Sequence, residues 1–124
     1  MSLKSVADEL VAGCREGREA ENLDRLYAED AVSVEAFDMP GGAGRETRGR
    51  AGIHGKHEWW AGAFETHSAE VAGPFLHGED RFAVIFVVDA TELASGTRMQ
   101  MQEIGLYTVA GDRIVREEFF GLPQ

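Results

Sequence analysis

The sequence predicts an α+β fold, with a mostly antiparallel sheet packed against three helices from the amino-terminal half. Three observations carry that expectation. Apolar residues recur at the three-and-four spacing of a buried helical stripe early in the chain and again over residues 50–64. The second half alternates with a period near two in four separate stretches. The connections between those stretches are short and turn-like, too short for the crossovers that parallel neighbours need. At 124 residues the chain has the length of one domain, residues 1–124, with enough surface to bury one real core.

The elements follow in order. Leu3, Val6, Ala7, Leu10, Val11 and Cys14 form the stripe of a first helix, which Ser2 or Ser5 caps and Gly13 and Gly17 weaken. A second, short helix turns Leu23, Leu26 and Tyr27 inward and runs out at Ala28-Glu29-Asp30. Residues 31–37 alternate as a strand, and the Pro and Gly content of residues 38–44 reads as a loop. Arg45, Arg48, Arg50 and Lys56 form the locally basic stretch of an acidic chain, read as a solvated segment rather than an anion site. A third helix fits residues 50–64, with Ile53, His57, Trp60, Ala61 and Phe64 on its apolar stripe and with His54 and Trp59 pointing elsewhere. Strands are expected near residues 67–75, 81–93, 98–109 and 114–120. Residues 82–88 are apolar on both faces, so that strand is expected to be buried on both sides. Three short helices cover one face of such a sheet, which leaves the other for a homodimer.

Composition excludes several functions. Twelve basic against 22 acidic residues leave a formal charge of −10, which would repel nucleic-acid backbones and anionic membranes alike. A single cysteine, Cys14, gives neither an internal disulfide nor a multi-cysteine metal cluster. The longest apolar run has seven residues, against the ~18 that span a bilayer. Lys4 is followed at once by Asp8 and Glu9 with no apolar stretch of the secretory kind, so a cytoplasmic location is expected. The glycines at 41, 42 and 44 lack the Lys-Ser pair of a phosphate loop, and no nucleophile elbow occurs.

Three stretches, in this order and spacing, resemble the nuclear transport factor 2-like superfamily and in particular its small bacterial SnoaL-like members. Leu26-Tyr27-Ala28-Glu29-Asp30-Ala31-Val32 is similar to the passage from second helix to first strand. Arg48-Gly49-Arg50-Ala51-Gly52-Ile53 is similar to the start of the third helix, and Gly111-Asp112-Arg113-Ile114-Val115 to the last hairpin. The resemblance covers nearly the whole chain. It implies a curved sheet wrapped around the helices as a cone, the cystatin-like α+β barrel, with an apolar pocket and dimerisation through the sheet. Family members range from ketosteroid isomerase, polyketide cyclases, epoxide hydrolases and dehydratases to non-catalytic binding modules, so the fold leaves the function open. The isomerase's carboxylate base falls near Glu35, with Asp38 as a loop alternative. Its tyrosine position falls on Val11 and its late-strand acid on Ile104 or Gly105, so steroid isomerisation is not expected.

Candidate chemistry rests on a few polar residues. His57, on the apolar stripe, either looks into the pocket as an acid or base near neutrality, or is a core histidine bonded to a carbonyl or carboxylate. Glu103 shares a strand face with Met99, Met101, Gly105, Tyr107 and Val109, surroundings that desolvate a carboxylate and raise its pKa. Its bland alternative is an ion pair with Arg116. A two-residue Gly111-Asp112 turn pairs Tyr107 with Arg116 and puts Arg116 and Glu118 on Glu103's face. A three-residue turn pairs Tyr107 with Val115 and puts Glu117 there instead. Glu35 and Asp38 are candidates at the pocket mouth, and Trp60, Phe64, Met101, Tyr107 and Phe119 are pocket wall. His54-x-x-His57-Glu58 superficially suggests a metal site, but positions 54 and 57 diverge by about 60° on a helix, and no metal is expected.

Two functions remain. One is a cofactor-independent isomerase, cyclase or dehydratase that moves protons on a small apolar substrate, with His57, Glu103 and Glu35 as its catalytic groups. The other is a non-catalytic module that binds a hydrophobic ligand or pairs with itself or another protein.

Overall fold

Ser2 opens the first helix, α1 (Leu3–Glu16), through a reciprocal pair of hydrogen bonds: Ser5 N–H donates to Ser2 Oγ at 3.1 Å, and Ser2 N–H donates to Ser5 Oγ at 2.9 Å. Gly17 ends it in the left-handed conformation, φ 72°. The second helix is α2 (Glu19–Leu26). These coordinates are a computed structural model and describe residues 2–39, 42 and 44–121. Of the loop expected over 38–44, residues 40, 41 and 43 lie outside that description.

The chain becomes extended earlier than its polar run Ala28-Glu29-Asp30 suggests. Strand β1 (Tyr27–Met39) starts at once, because Tyr27 pairs with Ile114 in parallel register. Sheet pairing overrides the weak helical signal of those residues. A strand that was read as a solvated basic stretch follows, β2 (Gly44–Arg48), antiparallel to β1. Its exposed Arg45, Glu46 and Arg48 are the charges that protect an edge strand from further pairing. Helix α3 (Arg50–Ala63) then leads through Phe64 into β3 (Phe64–His77), β4 (Arg81–Glu92), β5 (Arg98–Ala110) and β6 (Arg113–Gly121).

The sheet order is β2-β1-β6-β5-β4-β3. All neighbours are antiparallel except β1 and β6. The sheet is therefore mixed and open, with β2 and β3 at its edges; it is a curved sheet on helices and not a closed barrel. Register breaks in β1, β3 and β6 supply bends of the kind that curve a sheet.

Helices and sheet meet over one core. Val6, Ala7, Leu10 and Val11 of α1 and Leu23 and Leu26 of α2 are buried against Phe82, Val84, Tyr107 and Ile114. The rings of Phe82 and Tyr107 stack at 4.9 Å. The outward face of β4 does not match the expectation of burial on both sides. In the single chain Ala83, Ile85 and Val87 are only half-buried, since the helices cover the opposite face. No helix among the described residues is long and apolar enough to cross a membrane.

Candidate active site

Between the helices and the concave face of the sheet lies an open cavity of about 510 Å³. Cross-strand register fixes which side chains enter it. Tyr107 pairs with Glu117, Gly105 with Phe119, and Glu103 with Gly121, so these residues share the inner face in three successive layers. The floor, nearest α1 and α2, holds Tyr107 and Glu117; Glu103 stands four residues along β5, roughly 13 Å away at strand spacing.

The last hairpin departs from both expected registers. Gly111 and Asp112 do form a two-residue turn, with φ 58° and 63°, and Ala110 pairs with Arg113. A register break between Thr108 and Val109 then places Arg116 opposite Thr108, so Tyr107 meets Glu117. A tight turn plus a bulge thus carries Glu117 inward, buried to 2% exposure. Arg116 goes to the outer face, where it pairs with Glu118 at 3.3 Å and not with Glu103.

His57, Glu103 and Glu35 all line the cavity, as do Trp60, Phe64, Met101, Tyr107 and Phe119. Asp38 does not: it is exposed, because β1 continues to Met39 and its alternation sends Ser33, Glu35 and Phe37 to the side opposite Asp38. Trp59, off the apolar stripe of α3, is also pocket wall and meets Phe64 edge-on at 6.1 Å, while Trp60 stacks on Phe64 at 4.1 Å. His54 turns to Asp24 at 2.9 Å. No group of three or more His, Cys, Asp or Glu side chains among the described residues could hold a metal ion.

The residue that the sequence reading missed is Lys56. Its side chain is 9% exposed, and its ammonium pairs with Glu35 at 2.7 Å, donates to Ser33 Oγ, and lies 5.5 Å from the centroid of the Phe119 ring. The signal was present: Ile53, Lys56, His57 and Trp60 fall at offsets 0, 3, 4 and 7 on α3, a single helical face. Grouping Lys56 with the arginines around it concealed that face. Those arginines do stay outside, Arg45 bonding to Glu35 O at 3.1 Å and Arg50 to Asp24 O at 3.0 Å.

The Lys56–Glu35 pair sets the electrostatics. Glu103 is raised to a pKa of about 7, chiefly by burial and further by the charge of Glu35, with Lys56 pulling the other way. Burial also lowers the pKa of His57, as do Lys56 and His54, against Glu35. On the floor, burial raises Glu117 to about 7, opposed by Lys56 and by the hydroxyls of Tyr27 and Ser33. Tyr27 O–H donates to Glu117 Oε2 at 3.3 Å. Cys14 also borders the cavity, where burial and the nearby Glu19 and Glu117 push its thiol up to about 12, so the thiolate is not a nucleophile here. The cavity thus holds a neutral imidazole, a carboxyl group that exchanges its proton near neutrality, and a fixed ammonium, all against apolar walls.

Comparison with known proteins agrees with this architecture. The SnoaL-like domain family matches residues 1–121. A candidate SnoaL-like polyketide cyclase from Mesorhizobium loti, whose name also carries carbohydrate phosphatase, is 32% identical. Its crystal structure superimposes with a TM-score of 0.89 over 97% of this chain and 99% of that one. A candidate isomerase from Bacillus subtilis gives a TM-score of 0.79 at 19% identity, over 99% and 91% of the two chains. A nuclear transport factor 2-like protein of unknown function from Burkholderia pseudomallei gives 0.75 at 15% identity, over 96% and 89%. The latter two show the shared fold. No curated protein matches the chain. With the sequence match spanning all three helices and all six strands, the chain belongs to the SnoaL-like domain family, within the nuclear transport factor 2-like fold.

Proposed function

We propose that this protein is a cofactor-independent enzyme that transfers protons on a small, largely apolar substrate. Isomerisation, aldol-type cyclisation and dehydration are the reactions this machinery suits. The observation that carries the reading is Glu103, a carboxyl group without an ion-pair partner among the described residues, in an open apolar cavity that the Lys56–Glu35 pair also lines. Ionised Glu103 takes a proton from a carbon next to a carbonyl. The Lys56 ammonium, held in place by Glu35 and Ser33, stabilises the oxyanion that forms. The protonated Glu103 then returns the proton at a second carbon, or His57, neutral at pH 7, accepts a second proton as a base. Names borne by similar structures, a candidate polyketide cyclase and a candidate isomerase, belong to the same class of chemistry.

Deuterium uptake tests it. The protein in heavy water is mixed with a panel of aromatic and cyclic ketones, and exchange next to the carbonyl is followed by mass spectrometry. At least one ketone should exchange faster than in buffer, and Glu103→Gln should slow it ~100-fold or more. Exchange unchanged in both Glu103→Gln and His57→Gln would contradict the proposal, and its absence across the panel would leave the cavity as a hydrophobic-ligand site.

The outer face of the sheet supports a homodimer as part of this proposal. Ile85, Ile104 and Phe120 lie in cross-strand register there, Ala83 and Leu106 beside them, and Phe120 is 46% exposed. A cytoplasmic setting is also proposed, for which the lone Cys14 thiol is suited.

A further inference from the structure

The floor of the cavity carries chemistry that proton transfer at Glu103 does not use. Asn22 is 2% exposed and lines the cavity from α2. Its amide nitrogen donates to Leu10 O at 3.2 Å and to Glu9 O at 3.4 Å, both on α1. Those two bonds fix which end of the amide is which, and Oδ1 is left without a hydrogen-bond partner among the described residues. Glu117, also in the lining, accepts from the Tyr27 hydroxyl at Oε2 and has the Ser33 hydroxyl beside it, while Oε1 makes no hydrogen bond among the described residues. Two buried acceptors without donors is a costly arrangement, since each loses water and gains nothing in return. In the lining Leu10 offers no donor and Cys14 a weak thiol, and Tyr107, opposite Glu117 on the sheet, brings a hydroxyl to the same floor.

We infer that this floor is a subsite for a hydroxyl group of the substrate, read by Asn22 and Glu117, so that the molecule turned over is an apolar skeleton with a hydroxyl at one end and its reacting centre at the other. The layering of the sheet sets the span. A hydroxyl at the level of Glu117 directs the rest of the molecule along β5 and β6, past Phe119, toward Lys56 and Glu103. The inference deepens the proton-transfer reading and rests on it only for the reacting end. At the floor it rests on the two orphaned acceptors.

Equilibrium dialysis with 2-naphthol and 2-methylnaphthalene tests it, because the two differ by a hydroxyl against a methyl of similar size. The intact protein should hold 2-naphthol about tenfold more tightly. In Glu117→Gln the Tyr27 hydroxyl retains the amide oxygen, the amide N–H₂ takes the place of Oε1, and the ratio should fall to within about twofold. Thermal melting by circular dichroism checks that Glu117→Gln folds, and Asn22→Ala, read the same way, provides a second variant that should also lower the ratio. Equal binding of both compounds by the intact protein would overturn the inference, as would no binding of either or a ratio that survives in both floor variants. The assay needs no turnover, so a hydroxyl preference without deuterium exchange removes the proposed reaction and keeps the subsite. Exchange without the preference does the reverse.

Discussion

Glu103 and Glu117 owe their altered acidity to one cause, the loss of water around a carboxylate on the inner face of a sheet. Burial favours the neutral acid in the folded chain, so the folded state binds protons more tightly than the unfolded one. The stability these two groups contribute is fully present below the ordinary glutamate pKa of 4.5 and lost as pH rises through about 7. Glu117 is the better probe because it is the more buried. Glu117→Gln should therefore stabilise the fold by about 1–3 kcal/mol at pH 8 and by much less at pH 5, as read from urea unfolding at both values. A gain of the same size at both pH values would mean that Glu117 titrates like an exposed carboxylate. The same logic sets the sign for activity, which should rise with pH through about 7 as Glu103 loses its proton.

Among the elements, α1 and α2 show how a residue that looks like a weakness can serve packing. Gly13 sits inside α1, where glycine costs up to about 1 kcal/mol relative to alanine. A Cβ there would lie 1.9 Å from Asn22 Nδ2, so the missing side chain is what lets α2 bring its asparagine against α1. Gly13→Ala should consequently destabilise the protein by about 1–3 kcal/mol despite its better helix propensity, measured by thermal melting. A gain in stability would show that Asn22 can move aside freely. The periodic stripes of the helices and the alternation of the strands were legible because each depends only on local spacing. Lys56 lay in plain view on the stripe of α3, yet its charge suggested solvent, and only the half-buried Glu35 and the buried Ser33 on β1 reverse that reading. Glu117 was less accessible still. Its face depends on a bulge after the Gly111-Asp112 turn, and a one-residue slip in register is set by pairing across strands rather than by the hairpin's own residues. Asp38 failed in the opposite sense, since a glycine-rich loop was read into what is the end of a strand.

For the whole molecule, one face of the sheet is used by the helices and the cavity, and the other carries an apolar patch around Ile85, Ile104 and Phe120 among charged pairs such as Arg116–Glu118. Association through that outer face should give a sedimentation mass of twice the monomer at micromolar concentration, and Ile104→Lys should return it to one. A monomer in the unaltered protein would contradict that arrangement. The formal charge of −10 opposes close approach of two such chains at low salt, so the apolar contact has to outweigh that repulsion. The chemistry depends on a narrower property, that the concave side stays dry enough to hold carboxyl groups near neutrality. Carbon-13 NMR of the glutamate side-chain carboxyls, followed from pH 3 to 9, measures this directly. Glu103 should titrate with a midpoint near 7, and its signal should vanish in Glu103→Gln. A midpoint near the ordinary 4.5 would mean that water fills the cavity around an ionised carboxylate, and the case for acid–base catalysis there would fall.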